Sequence, residues 1–333
     1  MRNGALDSSF LPTGANAVVS SIAATGTSKV VIGGNFTTVA NIDRVGIARL
    51  NVDFLRNTPF DFDGDGKADI AVYRPSSGVW YQLFSSGASF GSPTFGLAGD
   101  IPVPADYDGD GKTDLAIFRP STGYWWYKAS SDGSLRAAAW GAAGDIPLPA
   151  DINNDGTDDF VFFRPSNSTW YRAATNGAED FKQFGLAGDK PVIGDFDGDG
   201  KADQAIFRPS TGDWWYSASS AGGAFRSTHW GQDGDIPAPA DYDGDGKTDH
   251  AVFRPSNGGW YVLKSGNLSI TIIGFGVNGD RPAPADYDGD GEADIAVFRP
   301  STGVWYAMQS TAGTFGVNWG ISSDVAIPSA FVP

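Results

Sequence analysis

The chain has 333 residues and a formal net charge of −16, which argues against a nucleic-acid partner, because phosphates bind Lys and Arg side chains. It contains no cysteine, which excludes disulfide bonds and thiolate chemistry, and two histidines are too few for the usual zinc sites. The 45 glycines, 20 prolines and an aromatic content of 13% predict many short strands joined by turns, and no segment keeps a helical apolar period for three turns.

The first 57 residues differ in sequence from the rest of the chain. Three short apolar segments there predict β-strands at residues 17–24, 29–36 and 46–51. Neither a signal peptide nor a membrane-spanning stretch is visible. If the protein is exported, we expect its targeting segment to have been removed or to lie outside this chain.

From Asp61 onward the sequence repeats itself. The segment that begins at Asp61 returns five times, in steps of 44 to 46 residues. The six copies fill residues 58–323, and their first aspartates are Asp61, Asp106, Asp151, Asp195, Asp241 and Asp286.

Each copy predicts four short antiparallel strands. In the second copy these are residues 101–104, 115–118, 125–127 and a last strand that ends at Trp140. Repeats of about 45 residues with four strands are typical of β-propellers, whereas solenoid repeats usually carry fewer strands and need caps. We therefore predict an all-β fold, a β-propeller of four-stranded antiparallel blades.

The two ends of the chain predict how the ring closes. Residues 324–333 begin a further repeat but stop where its acidic loop would start, with Ala330 in place of the first aspartate. We expect this C-terminal strand to complete an atypical blade formed by residues 1–57, because closure removes the exposed edges of an open array. The prediction is a single domain, residues 1–333, with seven blades and a ring closed by the N- and C-terminal strands.

A nine-residue acidic loop opens each copy. The first loop, residues 61–69, reads DFDGDGKAD, with Asp at positions 1, 3, 5 and 9 and Gly at position 6. Four carboxylates and the backbone carbonyl of position 7 are hard oxygen ligands for one cation, and the glycine permits the sharp turn around it. Only Glu179 and Glu292 are glutamates among 39 acidic residues, and this excess of Asp agrees with loop chemistry.

The six loops, numbered 1 to 6 in chain order, predict six Ca²⁺ sites. Ca²⁺ is favoured over Mg²⁺ because flexible, carboxylate-rich loops suit its higher coordination number. The predicted ligands at positions 1, 3, 5, 7 and 9 are Asp61, Asp63, Asp65, Lys67 and Asp69; Asp106, Asp108, Asp110, Lys112 and Asp114; Asp151, Asn153, Asp155, Thr157 and Asp159; Asp195, Asp197, Asp199, Lys201 and Asp203; Asp241, Asp243, Asp245, Lys247 and Asp249; and Asp286, Asp288, Asp290, Glu292 and Asp294. Six Ca²⁺ ions would change the net charge from −16 to −4.

Two alternatives to this interpretation of the loops exist. Asp-Gly pairs also form simple turns, but six loops in register, each with Asp at position 9, favour a metal site. An EF-hand would need a bidentate glutamate at position 12, where Val72, Ile117 and Phe162 stand instead, and a β-type segment follows. Because the carboxylates of an empty loop repel one another, we expect metal binding to stabilise the fold.

The pattern D-x-D-G-D-G-x-x-D, an apolar strand, Phe-Arg-Pro-Ser and a closing Phe-Gly resembles the FG-GAP/VCBS repeats of bacterial surface proteins and integrin α-chain propellers. Residues 5–51, with LDSSF at 6–10, resemble a single bacterial delta-60 repeat. The resemblance implies an extracellular, seven-bladed propeller with calcium in the loops that join the first two strands of a blade. Asn153 departs from the loop pattern, which questions the affinity of site 3 but not its existence.

Two further sets of residues recur. We expect each repeated arginine to pair with a neighbouring loop Asp or a backbone carbonyl, with an anion-binding ring as the alternative; these residues are Arg74, Arg119, Arg164, Arg208, Arg254 and Arg299. We expect the Trp-Tyr pairs to form the core between blades, with a sugar-stacking surface as the alternative; they begin at Trp80, Trp126, Trp170, Trp215, Trp260 and Trp305. Trp125 and Trp214 stand one position earlier and are predicted to be exposed on the opposite strand face.

The sequence predicts no catalysis, because most carboxylates belong to the loops, whereas a glycosidase needs two opposed carboxylates in different environments. The preferred function is a structural or adhesion module in which Ca²⁺ rigidifies each blade. One alternative is a filament subunit whose C-terminal strand completes a neighbour's ring, and another is a lectin with sites between blades. The expected partners are a protein or glycan ligand or further copies of the chain, without nucleic acid or membrane insertion, and the expected location is extracellular or at the cell surface.

Overall fold

The computed structural model describes residues 19–24, 29–35, 37–39, 42–43, 45–51, 58–87, 90–175 and 177–328. Its internal contacts divide the chain into two units, Met1–Arg56 and Asn57–Pro333. Within the ranges just given there is no helix with the length and apolar character to cross a membrane.

The N-terminal unit contains a small antiparallel sheet. Its strands are β1 (Val19–Ala24), β2 (Lys29–Gly34), β3 (Thr38–Val39), β4 (Ile42–Asp43) and β5 (Ile47–Asn51). Strand β2 lies between β1 and β5, while β3 and β4 pair separately. The three predicted strands are confirmed, and β3 and β4 were not predicted. The LDSSF segment at 6–10 lies outside the described residues.

The second unit contains strands β6 to β29. The first seven are β6 (Ile70–Arg74), β7 (Val79–Leu83), β8 (Phe90–Gly91), β9 (Ile101–Pro102), β10 (Leu115–Arg119), β11 (Tyr124–Lys128) and β12 (Leu135–Ala139). The next eight are β13 (Ile146–Pro147), β14 (Phe160–Arg164), β15 (Thr169–Ala173), β16 (Glu179–Gln183), β17 (Lys190–Gly194), β18 (Asp203–Arg208), β19 (Asp213–Ala218) and β20 (Ala224–His229). The last nine are β21 (Ile236–Pro237), β22 (His250–Arg254), β23 (Gly259–Leu263), β24 (Ile270–Gly274), β25 (Arg281–Pro282), β26 (Ile295–Arg299), β27 (Val304–Gln309), β28 (Gly313–Asn318) and β29 (Val325–Ala326).

In the described part of this unit, the strands form six blades, each a four-stranded antiparallel sheet. Five blades take their strands in chain order, as in β9-β10-β11-β12. The remaining blade has the order β29-β6-β7-β8, because Val325 pairs with Tyr73 and Ala326 with Val72. The fold is therefore a six-bladed β-propeller whose ring is closed by the C-terminal strand.

The prediction of seven blades, closed by N- and C-terminal strands together, is wrong. Strands β1, β2 and β5 pair with one another in their own sheet. In the blade of the first repeat, β29 takes the place of the first strand and pairs with β6. The same ion pair marks this position in other blades: Arg74 binds both carboxylate oxygens of Asp324 at 2.8 and 2.9 Å, as Arg119 binds Asp100.

The core between blades is built on six tryptophans of the third strands. The fully buried ones are Trp80, Trp125, Trp170, Trp214, Trp260 and Trp305. Each stands six residues after the repeated arginine, and Trp125 packs against Phe160 of the next blade. The predicted exposure of Trp125 and Trp214 is therefore wrong. The distance from the repeated arginine determines which tryptophan is buried, and the position of the Trp-Tyr dipeptide does not. Trp126 and Trp215 take the half-buried position that tyrosine holds in other blades.

The antiparallel order decides which connections meet. In five blades the acidic loop joins the first and second strands, and in the blade that β29 completes it leads into the second strand, β6. In every blade a turn joins the third and fourth strands. Because neighbouring strands run in opposite directions, this loop and this turn lie at the same end of the blade, here called the loop end. Fourth strands such as β12 are largely exposed and form the outer edge.

Candidate metal centre

The first carboxylate folds each loop. In loop 1, Asp61 is buried, and its two carboxylate oxygens accept hydrogen bonds from the amides of Gly64 (2.6 Å) and Gly66 (2.8 Å). Both glycines have a positive φ, +84° and +87°, which L-residues rarely adopt. The same pair of bonds recurs in loops 2, 4, 5 and 6. The loop adopts this turn because the carboxylate of one Asp accepts hydrogen bonds from two backbone amides of the same loop.

The last carboxylate fastens the loop to the rest of the blade. Asp69 is fully buried; its Oδ2 accepts from the amide of Phe62 at 2.8 Å, and its Oδ1 accepts from the amide of Ser85 at 2.7 Å. Ser85 belongs to the turn between the third and fourth strands. Equivalent bonds occur at the five other position-9 aspartates, which are Asp114, Asp159, Asp203, Asp249 and Asp294.

Hydroxyl groups of that turn also contact the loop carboxylates. Ser85 Oγ donates to Asp65, and Ser86 Oγ donates to Asp63. Loops 2, 4 and 6 have corresponding Ser or Thr contacts at positions 3 and 5. Sequence reasoning missed these hydroxyls, although a Ser-Ser or Ser-Thr pair at a constant distance after the loop was a usable signal.

One carboxylate oxygen in several loops has no partner. Oδ1 of the position-3 residue is buried without a hydrogen bond at Asp63, Asp197, Asp243 and Asp288. Burying an unpaired charged oxygen costs several kcal/mol, roughly, unless an opposite charge compensates it. Among the residues described, five groups of three aspartates bring their oxygens within 4.8 Å of one another: Asp61, Asp63 and Asp69; Asp106, Asp108 and Asp114; Asp195, Asp197 and Asp199; Asp241, Asp243 and Asp249; and Asp286, Asp288 and Asp290. These donor sets fit a hard divalent cation.

The electrostatics of the loops agree with that fit. Burial, reinforced by neighbouring carboxylates, raises the pKa of the position-9 carboxyls, while the amide hydrogen bonds lower it. The pKa rises to about 7 at Asp114 and to about 6 at the other five, Asp69, Asp159, Asp203, Asp249 and Asp294. Without a cation, the folded loops therefore disfavour their own ionised state.

Loop 3 differs from the others. The side-chain amide of Asn153 donates to Asp159 Oδ2 at 3.1 Å, so position 3 supplies a donor instead of a bare oxygen. Asn154 replaces glycine at position 4 with a φ of +61°. At position 8, the Asp158 carboxylate accepts from the amide of Asp106 in loop 2 at 2.9 Å, and burial raises the pKa of Asp158 to about 7. No cluster of three acidic ligands is found in this loop over its described residues.

The position-7 residues lie beside the position-5 carboxylates. In every loop the position-7 amide donates to the position-5 side chain at 2.8 to 3.1 Å. The Lys112 side chain also reaches the preceding loop, where its Nζ donates to the main-chain carbonyl of Asp63 at 2.9 Å. That the position-7 carbonyls are metal ligands stays a prediction.

The repeated arginines are structural. Each forms an ion pair with an aspartate, but that aspartate precedes the first strand of the blade instead of belonging to an acidic loop. The pairs are Arg74–Asp324, Arg119–Asp100, Arg164–Asp145, Arg208–Asp189, Arg254–Asp235 and Arg299–Asp280. In four blades the guanidinium also lies over a tyrosine ring, as with Arg254 on Tyr261 at 4.1 Å. Sequence reasoning missed these aspartates.

The two histidines have separate surroundings. His229 is exposed, and its Nδ1 lies 2.9 Å from the Asp213 carboxylate. His250 packs among Phe196, Trp214 and Tyr216, and burial lowers its pKa to about 4. His250 is therefore a neutral core residue near pH 7.

Comparison with known proteins supports the repeat assignment. A family model described as an FG-GAP-like repeat matches residues 61–117, 106–162, 151–206 and 241–297, more than half of the chain. No curated protein matches the sequence.

Solved structures with a similar fold share little sequence. TolB from Acinetobacter baumannii is 13% identical, with 90% of this chain and 79% of that chain covered and a TM-score of 0.55. A virginiamycin B lyase from Staphylococcus aureus is 10% identical, with coverage of 77% and 83% and a TM-score of 0.51. An Agrocybe aegerita lectin that recognises non-reducing terminal N-acetylglucosamine is 18% identical, with coverage of 91% and 88% and a TM-score of 0.48. At such identities the likeness extends to the fold alone.

Proposed function

The chain belongs to the FG-GAP-like repeat family, and from this premise we propose that it is a non-catalytic, calcium-binding propeller. In this proposal the acidic loops bind Ca²⁺, the ions rigidify the blades, and the whole propeller serves as a structural or adhesion module. The calcium, the module's role and its location outside the cell are all parts of the proposal.

The unpaired position-3 oxygens carry the proposal. In four loops a buried Oδ1 has no hydrogen-bond donor, whereas in loop 1 the carboxylates of Asp61 and Asp69 each accept two amide hydrogen bonds. Six copies of one loop make a chance arrangement of turn residues a poor explanation. Asp oxygens without an imidazole or thiolate among them suit a hard cation, and several carboxylates on a flexible loop suit Ca²⁺ better than Mg²⁺.

The residues that would bind the ion also form hydrogen bonds that stabilise the blade. The aspartates at positions 1, 3, 5 and 9 offer carboxylates, and position 9 is already tied to the turn between the third and fourth strands. A bound Ca²⁺ would supply positive charge at the loop end of each blade. The carboxylates' own part is to bind, to fold the loop amides around themselves and to connect two strand junctions.

A location outside the cell follows from the expected affinity. Calcium sites of extracellular modules typically have a Kd of roughly 10⁻⁴–10⁻³ M, which matches loops that are open to solvent at positions 4 to 6. Such sites fill only where calcium is abundant. We therefore place the module outside the cell or at its surface.

Calcium titration by calorimetry, with thermal melting in Ca²⁺, in Mg²⁺ and in a chelator, tests the proposal. We expect Ca²⁺ to raise the melting temperature and a chelator to lower it, because a site with ligand at 100 times its Kd adds about 2.7 kcal/mol of stability. Asp63→Ala should lose one bound ion. Glu179→Gln, an exposed residue with the same change of charge, is the matched control. Wild-type protein that neither binds Ca²⁺ nor shifts its melting temperature would overturn the proposal.

A further inference from the structure

A closed circuit of backbone hydrogen bonds joins the six acidic loops. The amide of position 8 in each loop donates to the main-chain carbonyl of position 1 in the preceding loop, and loop 1 donates back to loop 6. The six bonds are Thr113–Asp61 (2.7 Å), Asp158–Asp106 (2.7 Å), Ala202–Asp151 (2.8 Å), Thr248–Asp195 (2.7 Å), Ala293–Asp241 (2.6 Å) and Ala68–Asp286 (2.7 Å).

The peptide group that accepts each inter-loop bond also donates a hydrogen bond to a carboxylate of its own loop. The Asp61 carbonyl belongs to the peptide group that also contains the Phe62 amide. That amide donates to Asp69 Oδ2 at 2.8 Å. The corresponding position-2 amide donates to the position-9 carboxylate in the other five loops as well. The acceptor end of every inter-loop bond is therefore connected to a predicted metal ligand of its own loop.

The amide that donates each inter-loop bond shares its peptide group with the position-7 carbonyl of its own loop. The Thr113 amide belongs to the peptide group that contains the Lys112 carbonyl, which is a predicted ligand of site 2. The described residues of the acidic loops contain no cis peptide bond, and in a trans peptide the carbonyl and the amide point in opposite directions. An amide aimed at loop 1 therefore turns the Lys112 carbonyl away from loop 1.

We propose that these paired peptide groups couple the metal sites, so that an ion in one loop favours binding in the two neighbouring loops. This inference rests on the proposed function. A cation at a position-7 carbonyl polarises that peptide group and strengthens its amide as a donor to the preceding loop. The preceding Asp carbonyl is polarised in turn, which strengthens the amide that holds the position-9 carboxylate. An ion that orders one loop also orders its neighbour's contact, which lowers the neighbour's entropic cost of binding.

The geometry separates this coupling from a general gain in stability. If Ca²⁺ only stabilised the whole fold, any two sites would favour each other equally. Coupling through the peptide groups acts only between neighbours in the ring. Two double variants distinguish these cases, because position-3 side chains take no part in the six inter-loop bonds.

Asp63→Ala with Asp108→Ala removes sites 1 and 2, which are neighbours, and leaves four sites in one row with three links. Asp63→Ala with Asp197→Ala removes sites 1 and 4, which are opposite in the ring, and leaves two separate pairs with two links in all. The two variants carry the same type and number of substitutions. Each variant retains loops 3, 5 and 6.

Native mass spectrometry of the full chain during a calcium titration counts the ions on each molecule. We expect fewer partly loaded molecules for the adjacent double variant than for the opposite one, and at least about fivefold tighter binding of an ion beside an occupied site. Equal distributions in the two variants, or a statistical distribution of ions on the wild-type chain, overturn the coupling and leave calcium binding standing. A wild-type chain that binds no Ca²⁺ overturns the proposed function and the coupling with it.

Discussion

Loops 1 and 3 have the same nine-residue frame but hold it together in different ways. In loop 1 the Oδ1 of Asp63 is buried without a donor, whereas in loop 3 the amide of Asn153 donates to Asp159. In loop 1 this buried carboxylate oxygen has no hydrogen-bond donor, whereas loop 3 places a side-chain amide at the same position. In our proposal the carboxylates of the frame need a positive or polar partner, which a bound cation supplies in loop 1 and the Asn153 side chain supplies in part in loop 3.

The two loops also differ in how they are fastened to their neighbours. Ala68 of loop 1 has only a main-chain amide to offer to loop 6. At the same position in loop 3, Asp158 donates its amide to the carbonyl of Asp106 and accepts the amide of Asp106 on its carboxylate. Loop 3 is thus bound to loop 2 by two hydrogen bonds. We expect it to keep its shape best when metal is withdrawn.

Loss of the buried position-9 carboxylate should have the largest effect. Asp69→Ala and Asp159→Ala each leave two partly buried backbone amides without acceptors, which we expect to reduce the free energy of unfolding by about 3 kcal/mol. In Ca²⁺ the Asp69→Ala loss should grow further, because an ion is lost as well. Urea unfolding of the two variants, in Ca²⁺ and in chelator, measures the loss of stability in each condition.

The matched control for that pair is Asp69→Asn, which keeps an acceptor at the same place and should recover part of the loss. Equal losses for Asp69→Ala and Asp159→Ala in Ca²⁺ would contradict the difference between the two loops. Equal losses in chelator are the expected result.

The pH dependence should reverse with calcium. In chelated protein the position-9 carboxyls have a pKa of about 6 to 7, above the ordinary value of 3.8, so the folded state binds more protons between these values. Stability then falls as the pH rises from about 4 to about 7. With Ca²⁺ bound, the ionised carboxylates are favoured, and stability should rise over the same range.

Melting curves at pH 5 and pH 8 measure this reversal. Chelated protein should melt higher at pH 5, and protein in millimolar Ca²⁺ should melt higher at pH 8. Asp158→Asn should lessen the fall in chelator and steepen the rise in Ca²⁺, because burial raises the pKa of Asp158, which is not itself a predicted ligand, and a raised pKa lowers stability as the pH rises. A chelated protein that gains stability with rising pH would refute the electrostatic account of the loops.

The repeated features of this structure were predictable because the sequence pattern of each one occurs in all six copies of the repeat. The number of repeats, the four strands of a blade and the aspartates of the loops all lie within one period. The number of blades was not predictable in the same way, since it depends on a two-residue strand, Val325–Ala326, that pairs some 250 positions away. Local pattern does not indicate which open edge such a strand completes.

The misplaced tryptophans and the missed partners have a related cause. The Trp-Tyr dipeptide does not mark the same strand position in every blade. The side of the sheet that a residue faces depends on its position from the start of the strand, and Trp125 follows Arg119 by six residues, as Trp80 follows Arg74. Partners such as Asp100 and Ser85 recur in the repeats, but they lie 16 to 19 residues from the groups they bind, so the sequence alone does not indicate that they meet. Their role depends on which turns share one end of the blade.

Exchange of the position-3 residue should have a smaller effect. Asn153→Asp should strengthen calcium binding at site 3, and Asp63→Asn should weaken it at site 1, each by about tenfold, or about 1.4 kcal/mol. Calorimetric titration of both variants provides the measurement. If Asn153→Asp left the total affinity unchanged while Asp63→Asn lowered it, position 3 would not be what separates the two loops.

Exchange of the position-4 residue between loops 2 and 3 should have the smallest effect. Gly109 has a φ of +77°, and a Cβ there would lie 3.0 Å from the Thr157 side chain, so Gly109→Asn should reduce the free energy of unfolding by about 1 kcal/mol. Asn154 already tolerates a φ of +61°, so Asn154→Gly should change stability by less than about 0.5 kcal/mol. Thermal melting in saturating Ca²⁺ measures the two. A loss at Asn154→Gly larger than that at Gly109→Asn would show that the Asn154 side chain, which lies against Gly200 of loop 4, stabilises loop 3 by itself.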